Sequence, residues 1–174
     1  MSNVEGPVIA HDREKKFEQL VEMYQKPVLR ICWLSLNDKM LAEDAVQDTF
    51  FKVYRRMGTF RGESSEKTWI MRIAVNTCRD INSSGWFRFV DRHVTPEALP
   101  EQAVQTDESD RDLVAAVTKL PQRLREVILL YYYQSMNVNE IADVLGISQS
   151  AVSARLKRGR EKLKKLLEGR ELDE

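Results

Sequence analysis

The sequence predicts an all-α protein, built as two small helical domains joined by a flexible linker. Three observations point there. Apolar residues recur at threes and fours through most of both halves, the spacing of one buried stripe on a helix. Glycine and proline are scarce, seven and five among 174 residues, whereas strand-and-turn architectures use more of both. The periodicity lapses from Gly85 to about Thr106, where Pro96, Pro100 and several acids gather. The expected domains therefore span residues 10–85 and 107–170, with the linker at 86–106.

The first helix carries Phe17, Leu20, Val21, Tyr24, Val28, Ile31 and Leu34 as its stripe. Pro27 interrupts it, so a kink or a break into two helices is expected. Asn37 and Asp38 form a turn, with Asp38 placed to cap the next helix. That helix carries Ala42, Val46, Phe50, Val53 and Met57 and ends at Gly58. After a loop through Ser65, a third helix presents Ile70, Ile73, Ala74, Thr77 and Ile81 and stops near Ser83-Ser84-Gly85. The linker opens with Trp86-Phe87-Arg88-Phe89-Val90, too apolar for a pure spacer and expected to pack on the first domain or on a partner.

The second half resumes with Leu113, Val114, Ala116, Val117 and Leu120, after which Pro121 opens a helix at a position that tolerates it. Val127 to Tyr133 has strand-like composition, but Leu124, Val127, Ile128 and Tyr131 keep helical spacing. We therefore read it as helix. Asn137-Val-Asn-Glu140 has a capping residue followed three positions later by glutamate, a helix-start signature. A short helix to Leu145, Gly146, and Ser148 as the next cap complete the strongest motif. Ala142, Gly146 and Val152 stand where a helix-turn-helix needs a small contact residue, a left-handed turn and a branched apolar residue. Its second helix begins with Gln149, Ser150 and Ser153, short polar groups suited to base edges in a major groove. It continues into Arg155, Lys157, Arg158 and Arg160, suited to phosphates. An ordinary helical hairpin with a basic tail is the plainer alternative. The motif favours sequence-specific duplex DNA binding.

Charge adds a second candidate surface. With 27 basic and 27 acidic side chains the formal charge is zero, yet the distribution is uneven. Residues 147–170 hold eight Lys/Arg against two acids, and residues 52–92 hold nine against four. Between them, residues 93–112 hold six acids and only Arg111. Two basic blocks suggest two surfaces that meet a polyanion, although solvated helix faces would produce the same pattern. In the third helix Arg72, Asn76, Arg79 and Ser83 lie at helical intervals opposite the apolar stripe, setting two guanidinia around an amide. Phe60 and Trp69 are candidates for stacking on unpaired bases, although a tryptophan at the start of an amphipathic helix, as Trp69 is, more often belongs to the core. The second helix instead shows Glu43, Asp44, Gln47 and Asp48. Acids repel DNA, so that face is either solvated or meets a protein.

Composition excludes several classes. The longest apolar run, Val127 to Tyr133, is far below the roughly 18–20 residues of a membrane span. The first residues lack a basic segment followed by an apolar one, so no secretory signal is expected. Cys32 and Cys78 stand apart without a CxxC pair, which speaks against a disulfide framework or a zinc site and for a reducing cytoplasm. His11 and His93 have no nucleophile or ligand set around them. No catalytic residue, metal, cofactor or small-molecule substrate is expected.

Two stretches resemble a known family. Ala42-Glu-Asp-Ala-Val-Gln-Asp-Thr-Phe-Phe-Lys-Val-Tyr54, then Phe60-Arg-Gly-Glu-Ser64 and Thr68-Trp-Ile-Met-Arg-Ile-Ala-Val-Asn76, look like region 2 of extracytoplasmic-function (ECF) sigma factors of the sigma-70 family. Leu120-Pro121 through Tyr133 and Ile141-Ala142 through Leu167 look like their region 4. The resemblance implies a transcription-initiation factor that directs core RNA polymerase to promoters. Region 2 would dock the clamp helices of the largest subunit through Glu43, Asp44, Gln47 and Asp48. It would hold the melted minus-ten strand through Phe60, Arg61, Ser64, Arg72, Asn76 and Arg79, with the loop and Asn76 lining a pocket for a flipped base. Region 4 would sit on the flap of the second largest subunit and read duplex minus-thirty-five DNA through residues 148–160. The linker would thread toward the active-site channel. An anti-sigma factor is an implied partner and the cytoplasm the implied location, at the inner face of the membrane if such a factor holds it there. Family members often have Gly-Thr-Val-Lys-Ser-Arg where this chain has Ser150-Ala151-Val152-Ser153-Ala154-Arg155, so the base sequence they read does not carry over. The rival from another class is a free-standing helix-turn-helix regulator, which would bind a palindromic operator as a dimer without polymerase.

Overall fold

The computed structural model describes residues 7–84 and 108–169. Every regular element among them is helical: α1 (Pro7–Leu36), α2 (Lys39–Arg56), α3 (Glu66–Ser83), α4 (Glu108–Thr118), α5 (Gln122–Ile128), α6 (Val138–Leu145) and α7 (Gln149–Glu168). The linker expected at 86–106, with its Trp86–Val90 patch, lies outside the described residues.

Local chemistry sets most helix starts. Asp38 accepts the Leu41 N–H at 2.9 Å and opens α2, while Asn37 turns the chain at φ 54, a conformation asparagine tolerates. The Ser65 hydroxyl takes the Thr68 N–H at 3.1 Å and opens α3. Asn137 and Glu140 form the reciprocal capping box of α6, and Ser148 opens α7 by accepting the Ala151 N–H at 3.2 Å. Each cap satisfies a donor that the first helical turn leaves without an internal partner.

Three details refine the sequence expectation. Of the kink or break expected at Pro27, the break does not occur: α1 runs on as one helix. A mid-helix proline costs about 3 kcal/mol, and the burial of Val28, Ile31, Cys32, Trp33 and Leu34 directly after it supplies the offset. α2 passes into a 3₁₀ turn, Met57–Thr59, before the loop. The helix over Val127–Tyr133 is confirmed, but its last turn, Leu129–Tyr133, widens to a π-helix.

In the first domain α1, α2 and α3 pack on one another, with Val28, Ile31, Leu34, Val53, Ile70 and Ala74 essentially excluded from solvent. In the second, α7 crosses α4, α5 and α6. Gly159 marks its closest approach to α5: a Cβ there would stand 2.9 Å from Ile128 Cγ1. The two domains also touch, chiefly where α6 lies on α3 and where α4 and α5 lie on α1. Cys32, Trp33 and Leu36 are buried outside the stripe read from the sequence, on a helix that packs on α2 and α3 and also meets α4 and α5. Cys32 and Cys78 meet in this core, and hydrogen bonding to the Cys78 thiol, together with burial, pushes the Cys32 pKa well above the ordinary thiol value.

Candidate nucleic-acid interface

The second domain presents a helix-turn-helix. Gly146 ends α6 at φ 64 and ψ 39 with its N–H on the Ala142 carbonyl, a left-handed conformation open to glycine at little cost. Val152, fully buried, seats α7 against the preceding helix. Gln149, Ser150, Ser153, Lys157, Arg158 and Arg160 are exposed and Arg155 is half-buried. Two of them are already engaged. The Ser150 hydroxyl lies 3.0 Å from that of the cap Ser148. Arg160 leans back onto the π-helical turn, with Nε on the Tyr132 hydroxyl at 2.7 Å and its guanidinium over the Tyr131 and Tyr132 rings.

The first domain presents two further surfaces. The loop before α3 folds so that the Phe60 and Trp69 rings lie 4.8 Å apart at 31°. They border a cavity of about 290 Å³ that Arg61, Ser64 and Arg72 also line. Trp69 is half-buried: it packs against the core and lines this cavity as well. Asn76 is exposed and opens onto a different space, a cavity of about 610 Å³ between α3 and the residues Ala142 to Ser148. Thus the structure brings Phe60, Arg61, Ser64 and Arg72 together, while Asn76 stands one turn away; Arg72 lines both cavities.

Arg79 lies further along the same helix. Its Nε and a terminal nitrogen donate to the two carboxylate oxygens of Glu126 at 2.8 and 2.7 Å. These hydrogen bonds raise the Arg79 pKa against the opposing pull of burial. Glu126 is 6% exposed, and Gln122 donates to it at 3.2 Å. Nothing in the sequence singled out Glu126, because its spacing is that of an ordinary helix face.

On α2, Glu43, Asp44, Gln47 and Asp48 are all exposed, and Asp48 pairs with Lys52 at 2.8 Å. Met40 and Phe51, 76% and 59% exposed, share the face of Asp44 and Gln47. Helical spacing would have revealed them: positions 40, 44, 47 and 51 fall on one line. The surface is therefore acidic and apolar together, a composition that suits a protein partner. Among the described residues no group of three His, Cys, Asp or Glu side chains could hold a metal ion. No helix there is long and apolar enough to cross a membrane.

Two family models match this chain, "Sigma-70 region 2" over residues 20–87 and "Sigma-70, region 4" over residues 116–165. The RNA polymerase sigma-H factor of Pseudomonas aeruginosa is 31% identical over 169 residues, spanning 89% of this chain and 88% of that one. The ECF RNA polymerase sigma-E factor of Haemophilus influenzae is 30% identical, spanning 85% of each. The chain belongs to the ECF group of the sigma-70 family. Solved relatives share its fold. RpoE of Bartonella quintana, crystallised with the anti-sigma factor NepR, superposes with a TM-score of 0.71 at 25% identity over 88% of this chain and 98% of that one. CnrH, solved with the cytosolic domain of CnrY, gives 0.69 at 27% identity over 90% of each. In this ECF chain the helix-turn-helix therefore lies in region 4, and the α2 face, the aromatic cavity and Arg79 lie in region 2.

Proposed function

We propose that this sigma factor is a non-catalytic specificity subunit, which carries core RNA polymerase to its promoters from the cytoplasm. The observation that carries the reading is the presence, in one chain, of a capped duplex-reading helix and a separate basic surface beside an aromatic-walled cavity. One suits the major groove; the other suits bases that have left the stack.

Region 4 reads minus-thirty-five duplex DNA with Gln149, Ser150 and Ser153 near base edges. Arg155, Lys157, Arg158 and Arg160 serve the phosphates. In region 2, a base extruded from the minus-ten element enters the space bounded by Phe60, Arg61, Ser64 and Trp69, with Arg72, Asn76 and Arg79 along the strand. Unpairing costs a few kcal/mol per flipped base, offset by contacts that only the extruded nucleotide makes. No nucleoside triphosphate need drive melting. Glu43, Asp44, Gln47 and Asp48, with Met40 and Phe51 beside them, form the docking face for the clamp helices of the largest subunit, and region 4 rests on the flap of the second largest. Held on one rigid frame, two modest DNA contacts multiply through effective concentration. The complexes of the solved relatives support an anti-sigma factor as a further partner.

Run-off transcription from chromosomal promoter fragments with purified core polymerase tests the proposal. Addition of the chain should create discrete start sites absent with core alone. Operator binding without polymerase, and no new start sites, would favour a free-standing regulator instead.

A further inference from the structure

A groove of about 630 Å³ runs between α4, the π-helical turn and the later part of α7, with Arg30 of α1 at one side. Its floor is aliphatic: Val114, Val117, Ile128 and Leu163 line it, and none is more than 9% exposed. Its charged lining is of one sign. Arg30, Arg160 and Lys164 border it, and no acid does. Apart from Arg160, no residue of the groove has a part in the proposed promoter contacts.

The three cations are available to a ligand in different degrees. The Arg30 guanidinium lies 5.0 Å from the centre of the Tyr133 ring. Its Nε is buried and has no hydrogen-bond partner among the described residues. A buried donor left in that state costs free energy, and an anion that reaches it removes the cost. Lys164 meets Glu168 at 3.6 Å, too far for a good hydrogen bond. Arg160 has its Nε on the Tyr132 hydroxyl and contributes its charge.

The volume is in the range of small-molecule sites, and the lining narrows the chemistry. An ionised carboxylate only accepts hydrogen bonds, which matches an arginine that only donates. A nucleotide would bring a polar sugar and several charges onto an aliphatic floor. The anion of a fatty acid brings one charge and an apolar chain. We infer that this groove binds a medium-chain fatty acid anion, with its carboxylate on Arg30, beside Lys164, and its methylenes over Val114, Val117 and Leu163.

Isothermal titration calorimetry of the full-length chain with octanoate and decanoate, below their micellar concentrations, tests the site. Decanoate should bind at one site per chain. Each buried methylene is worth about fourfold, so decanoate should bind roughly tenfold more tightly than octanoate, and a gain below about twofold would overturn the inference. Decyltrimethylammonium, with the same chain and the opposite charge, should bind at least about tenfold more weakly than decanoate. Equal binding would reduce the groove to an apolar surface and overturn the anion site, as would the absence of saturable heat with decanoate. Arg30→Gln should weaken decanoate about tenfold or more. Lys15→Gln, an equal charge change at an exposed position of the same helix, should not; equal losses would assign the effect to net charge and overturn the site. If circular dichroism shows Arg30→Gln unfolded, Leu113→Glu places an acid at an exposed position of the lining. It should weaken decanoate at least about threefold and leave decyltrimethylammonium bound no more weakly. Decanoate binding untouched by that variant, or both ligands weakened alike, would overturn the inference.

Discussion

Gly159 offers a prediction whose sign depends on one neighbour. It sits mid-helix in α7, where alanine would ordinarily stabilise by about 0.8–1.0 kcal/mol. Here a Cβ would lie 2.9 Å from Ile128 Cγ1 and 3.1 Å from Cδ1, against the 3.5–4.0 Å or so at which carbon pairs are comfortable. Ile128 is 1% exposed, and overpacking of this kind costs about 1–3 kcal/mol. Ile128 also borders a groove of about 630 Å³ into which its side chain can yield, which holds the clash to the middle of that range. Gly159→Ala should therefore destabilise the chain by about 1 kcal/mol net. Ile128→Ala alone should cost about 2–5 kcal/mol, but it removes both clashing atoms. In that background Gly159→Ala should stabilise by about 1 kcal/mol. The coupling between the sites is then about 2 kcal/mol, within the range for residues in direct contact. Urea titrations of the four full-length proteins, followed by circular dichroism and compared at a common slope, give the cycle. An effect of the same sign and size in both backgrounds would refute the close approach of α7 to α5. So would full stabilisation of the wild type by alanine.

Other outcomes are expected at the proposed surfaces. The double variant Arg72→Ala/Asn76→Ala should impair open-complex formation, read by permanganate footprinting, while polymerase binding persists; equal loss of both would count against the minus-ten assignment. Charge reversal at Asp44 and Asp48 should abolish association with core enzyme, and unchanged co-purification would remove that contact from the scheme. Lys157→Ala should lower the slope of log affinity against log salt for minus-thirty-five duplex by about one unit; an unaltered slope would mean that Lys157 does not meet a phosphate. Asn137→Ala should cost about 1 kcal/mol in a thermal or urea melt through loss of the α6 cap, and a loss below about 0.3 kcal/mol would show that the capping box contributes little.

Features that depend on neighbours within about four residues were legible from the letters. Asp38, the Asn137–Glu140 pair, Gly146 and Ser148 were each assigned a role that the structure bears out. The apolar stripes of α2 and α3 were equally visible, because a helix repeats its buried face every turn. Glu43, Asp44, Gln47, Asp48, Arg72, Asn76 and Arg79 could be named for the same reason, as polar positions away from those stripes, and Gln149 to Arg160 from the helix-turn-helix spacing.

Tertiary structure decided what covers a face that periodicity can only describe as polar. Arg79 is clamped by Glu126 from 47 positions away, and Gln134 reaches Pro27 across 107. Arg160 leans on Tyr132, and Asn76 opens away from the aromatic cavity that Arg72 helps to line. Cys32 and Cys78, apart in sequence, share one core. The continuity of α1 through Pro27 likewise depends on elements distant in sequence that bury the residues beyond it. A helical stripe records that a side is buried but not by which element. Partners separated by long stretches of chain leave no spacing between them to read.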